Sequence, residues 1–270
     1  MTEDWLAVWL GAGLFALSLA GLFGADLLGW AVTTSVWTDA ARALGPASKA
    51  YASLPGSASL LATYVFLLAL LTVGAKTLGW NIAKFAAGFT AVFFASYLSW
   101  IAGSWAYIAA TPDRRAALKI SWSMNLTNEA GFIVALLAGL VIGNLIPNAA
   151  TRIREAIRPE LYIKTAIVIL GGVLGVTAVE QRALAASVMF DGLCAIVAAY
   201  LIYWAVVYYI ARRYFGFSRE WAAPLASGIS ICGVSAAIAT GSAIKARPVV
   251  PIMVSSLVVI FAVVELVLLP

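Results

Sequence analysis

The stretch that decides how this chain is read is 221–247, WAAPLASGISICGVSAAIATGSAIKAR. Gly228, Gly233 and Gly241 punctuate an otherwise apolar run, with Ser227, Ser230, Ser235, Thr240 and Ser242 between them. A continuous helix loses about 1 kcal/mol for each glycine relative to alanine, so the SICGVS centre is the cheapest place for a break. A broken helix exposes unpaired N–H groups at the start of its second half. In lipid those groups need partners, so such backbone persists only where protein or a water-filled cavity surrounds it. Together with the helix dipole they form an anion site at mid-membrane depth. The expected lining is Ser230, Cys232, Gly233, Val234, Ser235 and Thr240. The competing reading is a small-residue packing face. The density of hydroxyls around one SxCGxS core favours the break here, whereas GLVIG at 139–143 and GGVLG at 171–175 read as packing faces.

The flanking sequence makes this a membrane protein. Of 270 residues, 63% are hydrophobic and 11% charged, against about 45–50% and 25% in soluble domains. Uncharged runs long enough to span a bilayer recur. Spans are expected at 5–24, 58–75, about 83–110, 130–147, 161–179, 183–211 and 249–270, and the broken segment 221–247 makes eight. The first is kept as a helix rather than a signal peptide because Glu3 and Asp4, not lysines, precede it. Residues 29–44 read as a surface helix or a structured loop. The fold class is an all-α polytopic membrane protein, with its main boundary in the polar link 111–129. That link separates extra helices over 1–124 from a unit over 125–270.

Composition also excludes. The chain has no histidine, which removes histidine relays, Ser-His-Asp catalysis and the usual zinc sites. Cys194 and Cys232 lie inside apolar segments, so no disulfide framework is expected. The net charge of +5 comes from short basic clusters between apolar runs, which orient a membrane protein and do not point to nucleic acid. With alternate crossing those clusters divide evenly between the two sides, and the short links 148–160 and 211–220 favour a cytoplasmic placement.

Intramembrane charges are the other functional candidates. Asp191, in MFDGLCAIV, costs roughly 2.5–3.5 kcal/mol at mid-membrane unless it is paired or faces a cavity. It reads equally as the site of a coupling sodium ion or proton and as a structural partner. Lys164, in the first turn of the fifth span, reads as a snorkelling side chain, with an anion-attracting charge as the alternative. Lys245 and Arg247 read as capping or interfacial residues after the second half-helix, and Asn128 and Glu129 as the N-terminal cap of the fourth span.

GISICGVSAAIATG, preceded by LYIKTAIVILGGVLG at 161–175 and NEAGFIVALLAGLVIGNLIP at 128–147, resembles the sulfate exporter (YeiH-type) family of bacterial membrane proteins. The likeness covers about 125–270; residues 1–124 resemble only variable helices that longer members carry in front. It implies a secondary transporter of two inverted five-helix repeats, akin to bile-acid symporters and sodium/proton antiporters, each repeat holding one broken crossing helix. The first repeat would be 130–270, and the second has no counterpart in this sequence. The resemblance therefore implies the front part of a longer protein, or a half that needs a partner.

The resulting expectation is a carrier of a small anion such as sulfate, sulfite or an organosulfonate, as a homodimer in the bacterial inner membrane, without cofactor beyond the coupling ion. Membrane enzymes that modify lipids want paired carboxylates, a histidine or a metal cluster, and no such constellation appears. A non-transporting scaffold is the remaining alternative.

Overall fold

The computed structural model describes residues 2–127, 130–180, 182–231, 233–247 and 249–268. These pack as two units, 1–173 and 174–269. The expected boundary at 124/125 does not coincide with this division, because the helix that follows the polar link packs on the helix that precedes it.

In the first unit, α1 (Glu3–Leu19) starts at Thr2, whose hydroxyl accepts the Trp5 N–H. A tight turn at Gly24, φ +82°, leads into a short antiparallel ribbon of β1 (Val32–Thr34) and β2 (Leu44–Pro46). The structured-loop reading of 29–44 is therefore the one observed, not the surface helix, and the chain is not purely α. The segment is pinned by long-range bonds: Val32 N–H to Thr63 Oγ1 at 2.9 Å, and Trp37 Nε1 to the Ile101 carbonyl at 2.8 Å. Such tertiary anchoring overrides local propensity.

The helices α2 (Gly56–Thr77) and α3 (Ile82–Gly103) follow. Gly79, φ +73°, turns the chain between them, and Asn81 Oδ1 caps α3 through the Lys84 N–H at 3.0 Å. Phe85, Phe89 and Phe93 recur every four residues, forming one buried aromatic stripe along α3. Leu6, Ala7 and Leu10 of α1 and Leu71 and Ala75 of α2 close over it. Beyond α3 come α4 (Ala106–Ala109) and α5 (Pro112–Leu118).

Next, α6 (Ala130–Leu145) and α7 (Pro147–Ile153) meet at a sharp bend; the path from 130–145 into 147–156 turns by 112°. Pro147 has no N–H to continue the α6 ladder, so the helix stops before it. The close approach of α6 to α3 depends on Gly103 and Gly131, since a Cβ on Gly103 would overlap the Gly131 backbone. By contrast, Gly139 and Gly143 face open space, as does Gly171, while Gly172 abuts Phe15. The packing reading of GLVIG is thus corrected: those glycines touch nothing, and the helix contact is made eight residues earlier. The unit ends within α8 (Pro159–Glu180), which Gly11 lets approach α1 at Val168.

In the second unit, α9 (Arg182–Ala198) runs through a π turn at Ala199–Tyr203 into α10 (Trp204–Arg213). Then come α11 (Arg219–Ser230), α12 (Val234–Ala243) and α13 (Val249–Leu268). Among the described residues, three helical stretches are individually long and apolar enough to cross a membrane, 56–77, 82–103 and 189–213; the bent pair 130–156 counts as a fourth where its two arms form one span.

Candidate functional site

The break falls where the glycines place it, between Ser230 and Val234, but the two halves do not run on in one direction. The two halves fold back on each other as a hairpin. At its base, Glu220 in the first turn of α11 accepts the backbone N–H of Arg247, and the Arg247 guanidinium lies 3.2 Å from both carboxylate oxygens. At its tip, the Gly233 N–H donates to the Gly228 carbonyl at 2.9 Å. The halves expected to follow one another as a broken helix instead double back as a helical hairpin. The physical reason is closure. At 12 and 10 residues the halves would reach about 18 Å and 15 Å at 1.5 Å per residue, enough together to span a bilayer if they ran end to end. The Glu220–Arg247 clamp instead brings their outer ends together.

The turn is built on one glycine conformation. Gly233 has φ +74° and ψ −112°, a region that costs a side-chain-bearing residue of order 1–3 kcal/mol. Ile231 ends α11 with its N–H on the Ser227 carbonyl, 3.2 Å. No described side chain caps α12, so the N–H groups of Val234, Ser235 and Ala236 lack intrahelical partners by the geometry of a helix start. The half-buried Ser230 carries an Oγ that is inaccessible to solvent and has no hydrogen-bond partner. Val234 and Ser235, at the start of α12, are half-buried. Cys232 lies outside the described residues.

The hairpin is wedged between two helices. On one side α13 runs from base to tip: Pro251 meets Gly241, Val254 packs with Ala237, and Val258 reaches Gly228 and Gly233. On the other, Trp204 of α10 donates from Nε1 to the buried Ser227 Oγ at 3.0 Å.

The sequence-derived residues are only partly brought together. Ser230, Gly233, Val234 and Ser235 gather at the tip. Thr240 does not: six residues along α12 take it about 9 Å down the helix, where it lines a cavity with Trp204, Glu220 and Lys245. Lys164 belongs to the first unit, where its Nζ lies 2.6 Å from Asp4 Oδ1, so a carboxylate engages its charge. Asp191 is exposed on α9 and pairs with no other described residue. Asn128 and Glu129 lie outside the described residues.

The structure adds Ser255. It shares the hairpin-facing side of α13 with Pro251, Val254 and Val258 by helical spacing, and its Oγ is buried without a partner. The signal was present as an (i, i+4) step from Pro251, but nothing in the sequence alone distinguishes it from Ser256, which bonds back to the Ile252 carbonyl. Among the described residues no group of three or more His, Cys, Asp or Glu is placed to hold a metal ion.

Comparison with known proteins now places the chain. A family model described as conserved hypothetical protein 698 matches residues 88–270. The chain belongs to that family. A UPF0324 membrane protein of Nitrosomonas europaea is 41% identical over the whole of this chain and 56% of its own length. A UPF0324 membrane protein of Nitratidesulfovibrio vulgaris is 29% identical over 65% of this chain and 26% of its own length. One of Rhodopirellula baltica is 34% identical over 42% of this chain and 20% of its own. The chain thus spans about half the length of its relative from Nitrosomonas and less of the others. No solved structure matches. This is an integral, polytopic membrane protein. The matched region opens in α3, before the sequence boundary at 125, in keeping with the tight Gly103–Gly131 contact that makes α3 and α6 one packing unit.

Proposed function

We propose that this chain forms part of a secondary transporter that binds a small anion, such as sulfate, sulfite or an organosulfonate, at the tip of the 219–247 hairpin. The observations that carry the reading are the uncapped start of α12 and, at the end of α11 three residues before its N-terminal glycine, the buried Ser230 Oγ with no partner among the described residues. A free helix N-terminus at mid-membrane depth attracts negative charge, and unsatisfied hydroxyls there are donors awaiting an acceptor. Ser230, Gly233, Val234 and Ser235 supply the immediate lining, with Ser255 contributing from α13; Cys232, also expected in the lining, lies outside the described residues. Thr240 serves the approach rather than the bound anion.

In the full protein we assign eight membrane segments, the hairpin counted as one that enters and leaves on the same face, and a second inverted repeat outside this sequence. The base of the hairpin carries Arg212, Arg213, Arg219, Lys245 and Arg247, which favours a cytoplasmic base by the positive-inside rule, in a bacterial inner membrane. Asp191 is the assigned site for a coupling sodium ion or proton. The 189–213 span has no buried residue in its apolar window, and this favours a homodimer or a half that needs a partner, the non-transporting scaffold being the second reading.

Sulfate and sulfite uptake into proteoliposomes containing the full-length protein tests the function. Uptake should occur, Gly233→Leu should abolish it while the protein still inserts and purifies, and Asp191→Asn should remove its dependence on the sodium or proton gradient. Absence of uptake of either anion in every gradient condition, with the protein folded, supports the scaffold instead.

A further inference from the structure

A cavity opens at the base of the hairpin, apart from its tip. It has a volume of about 620 Å³, within the range of small-molecule sites. Trp204 and Tyr208 form one wall, their rings stacked at 5.0 Å and inclined by only 8°. Arg219, at the start of α11, and Lys245, just after α12, bring two cations to it, and Thr240 adds a hydroxyl. Glu220 also lines it, but Arg247 bonds both of its oxygens, so the single carboxylate is already neutralised. Neither Arg219 nor Lys245 pairs with an acidic group among the described residues.

Lys245 has φ +53°, the left-handed conformation with which a helix commonly stops. The Ala246 N–H to the Gly241 carbonyl, 2.8 Å, closes that turn. Two positive charges, a hydroxyl and a flat aromatic wall at the edge of a membrane segment match one chemistry: a tetrahedral oxyanion carried on an amphipathic body.

We propose that this cavity is a binding site for the phosphodiester of an anionic phospholipid, held between Arg219 and Lys245 with its glycerol region against Trp204 and Tyr208. A lipid there occupies the base cavity next to Thr240 and braces α10 against the hairpin. The site does not depend on what the tip binds.

The test uses the full-length protein purified into nanodiscs or detergent and examined by native mass spectrometry. Phosphatidylglycerol should be retained in preference to phosphatidylcholine. Arg219→Gln and Lys245→Gln should each weaken that retention about fivefold. Both side chains are exposed, so neither change threatens folding. Gly233→Leu should leave lipid retention unchanged, which separates this site from the tip. Inorganic phosphate and sulfate form the second arm. If either free anion displaces phosphatidylglycerol at millimolar concentration, through the same two residues, the lipid assignment is overturned and the cavity is a vestibule for free oxyanions. Equal retention of both lipids, or retention unaffected by both substitutions, overturns the site itself.

Discussion

Replacing Gly233 with alanine is the smallest change that attacks the hairpin tip. The structure puts two costs on it. At φ +74° and ψ −112°, an L-residue incurs strain of order 1–3 kcal/mol. In addition, the new Cβ would stand 2.9 Å from Val258 Cγ1, and valine has little rotamer freedom with which to retreat. The steric part is removable and the conformational part is not. Gly233→Ala should therefore lower stability in nanodiscs by at least about 1–3 kcal/mol, the steric cost coming on top, and Val258→Ala in the same chain should restore only the steric share. A tip that escapes the strain by rotating the 231–233 peptides turns the α12 N–H groups away, so labelled sulfate binding should weaken about 5- to 150-fold, the equivalent of the same energy. Thermal unfolding and scintillation-proximity binding on the four proteins of the cycle measure both quantities. Gly233→Ala within about 0.5 kcal/mol of the unchanged protein, with sulfate binding intact, would refute the argument from conformation to site.

Three further outcomes follow from the packing. Gly103→Ala should destabilise by about 1–3 kcal/mol because its Cβ meets the Gly131 backbone, whereas Gly139→Ala, facing open space, should be neutral or stabilising by up to about 1 kcal/mol; thermal melting distinguishes them, and equal effects would contradict the α3–α6 contact. The Arg247 backbone N–H, and then its guanidinium, hold Glu220 below the ordinary carboxylate range, which begins from 4.5. The clamp's contribution is thus fully present above pH 4.5 and lost as pH falls through the lowered value; melting followed from pH 7 downward should show that loss, and Glu220→Gln should remove this part of the pH dependence. Trp204→Phe deletes the donor to the buried Ser227 hydroxyl and should cost about 1 kcal/mol, measured by melting, with no change expected if the hydroxyl re-bonds along its own helix.

Part of the hairpin was readable in the residues, and the failures have physical causes. The break at SICGVS followed from glycine energetics, and Gly233 adopts the conformation only glycine takes freely. That the halves return to one side was not readable, because it depends on a Glu220–Arg247 contact across 27 residues, and sequence assigns no partner to a charge. That same contact separates Thr240 from the tip, since a hairpin puts its middle and its base at different depths while a list of hydroxyls does not. The Phe85–Phe89–Phe93 core stripe lay in plain four-residue periodicity. The contact glycines did not: Gly131 and Gly139 look alike in sequence, and only the position of α3 makes one necessary and leaves the other idle. The β1–β2 ribbon likewise depends on Thr63 and Ile101, far along the chain from it.

The most direct test of the account is where the two ends of the hairpin lie. With Cys194 and Cys232 replaced by serine, Glu220→Cys and Arg247→Cys are introduced together in the full-length protein, and membranes are treated with an oxidant or with a thiol reagent that cannot cross the bilayer. The re-entrant hairpin predicts a disulfide between the two positions and labelling of both from the same side, the cytoplasmic one. Labelling from opposite sides, with no cross-link, would mean that 219–247 crosses the membrane and would contradict the hairpin and the site built on it.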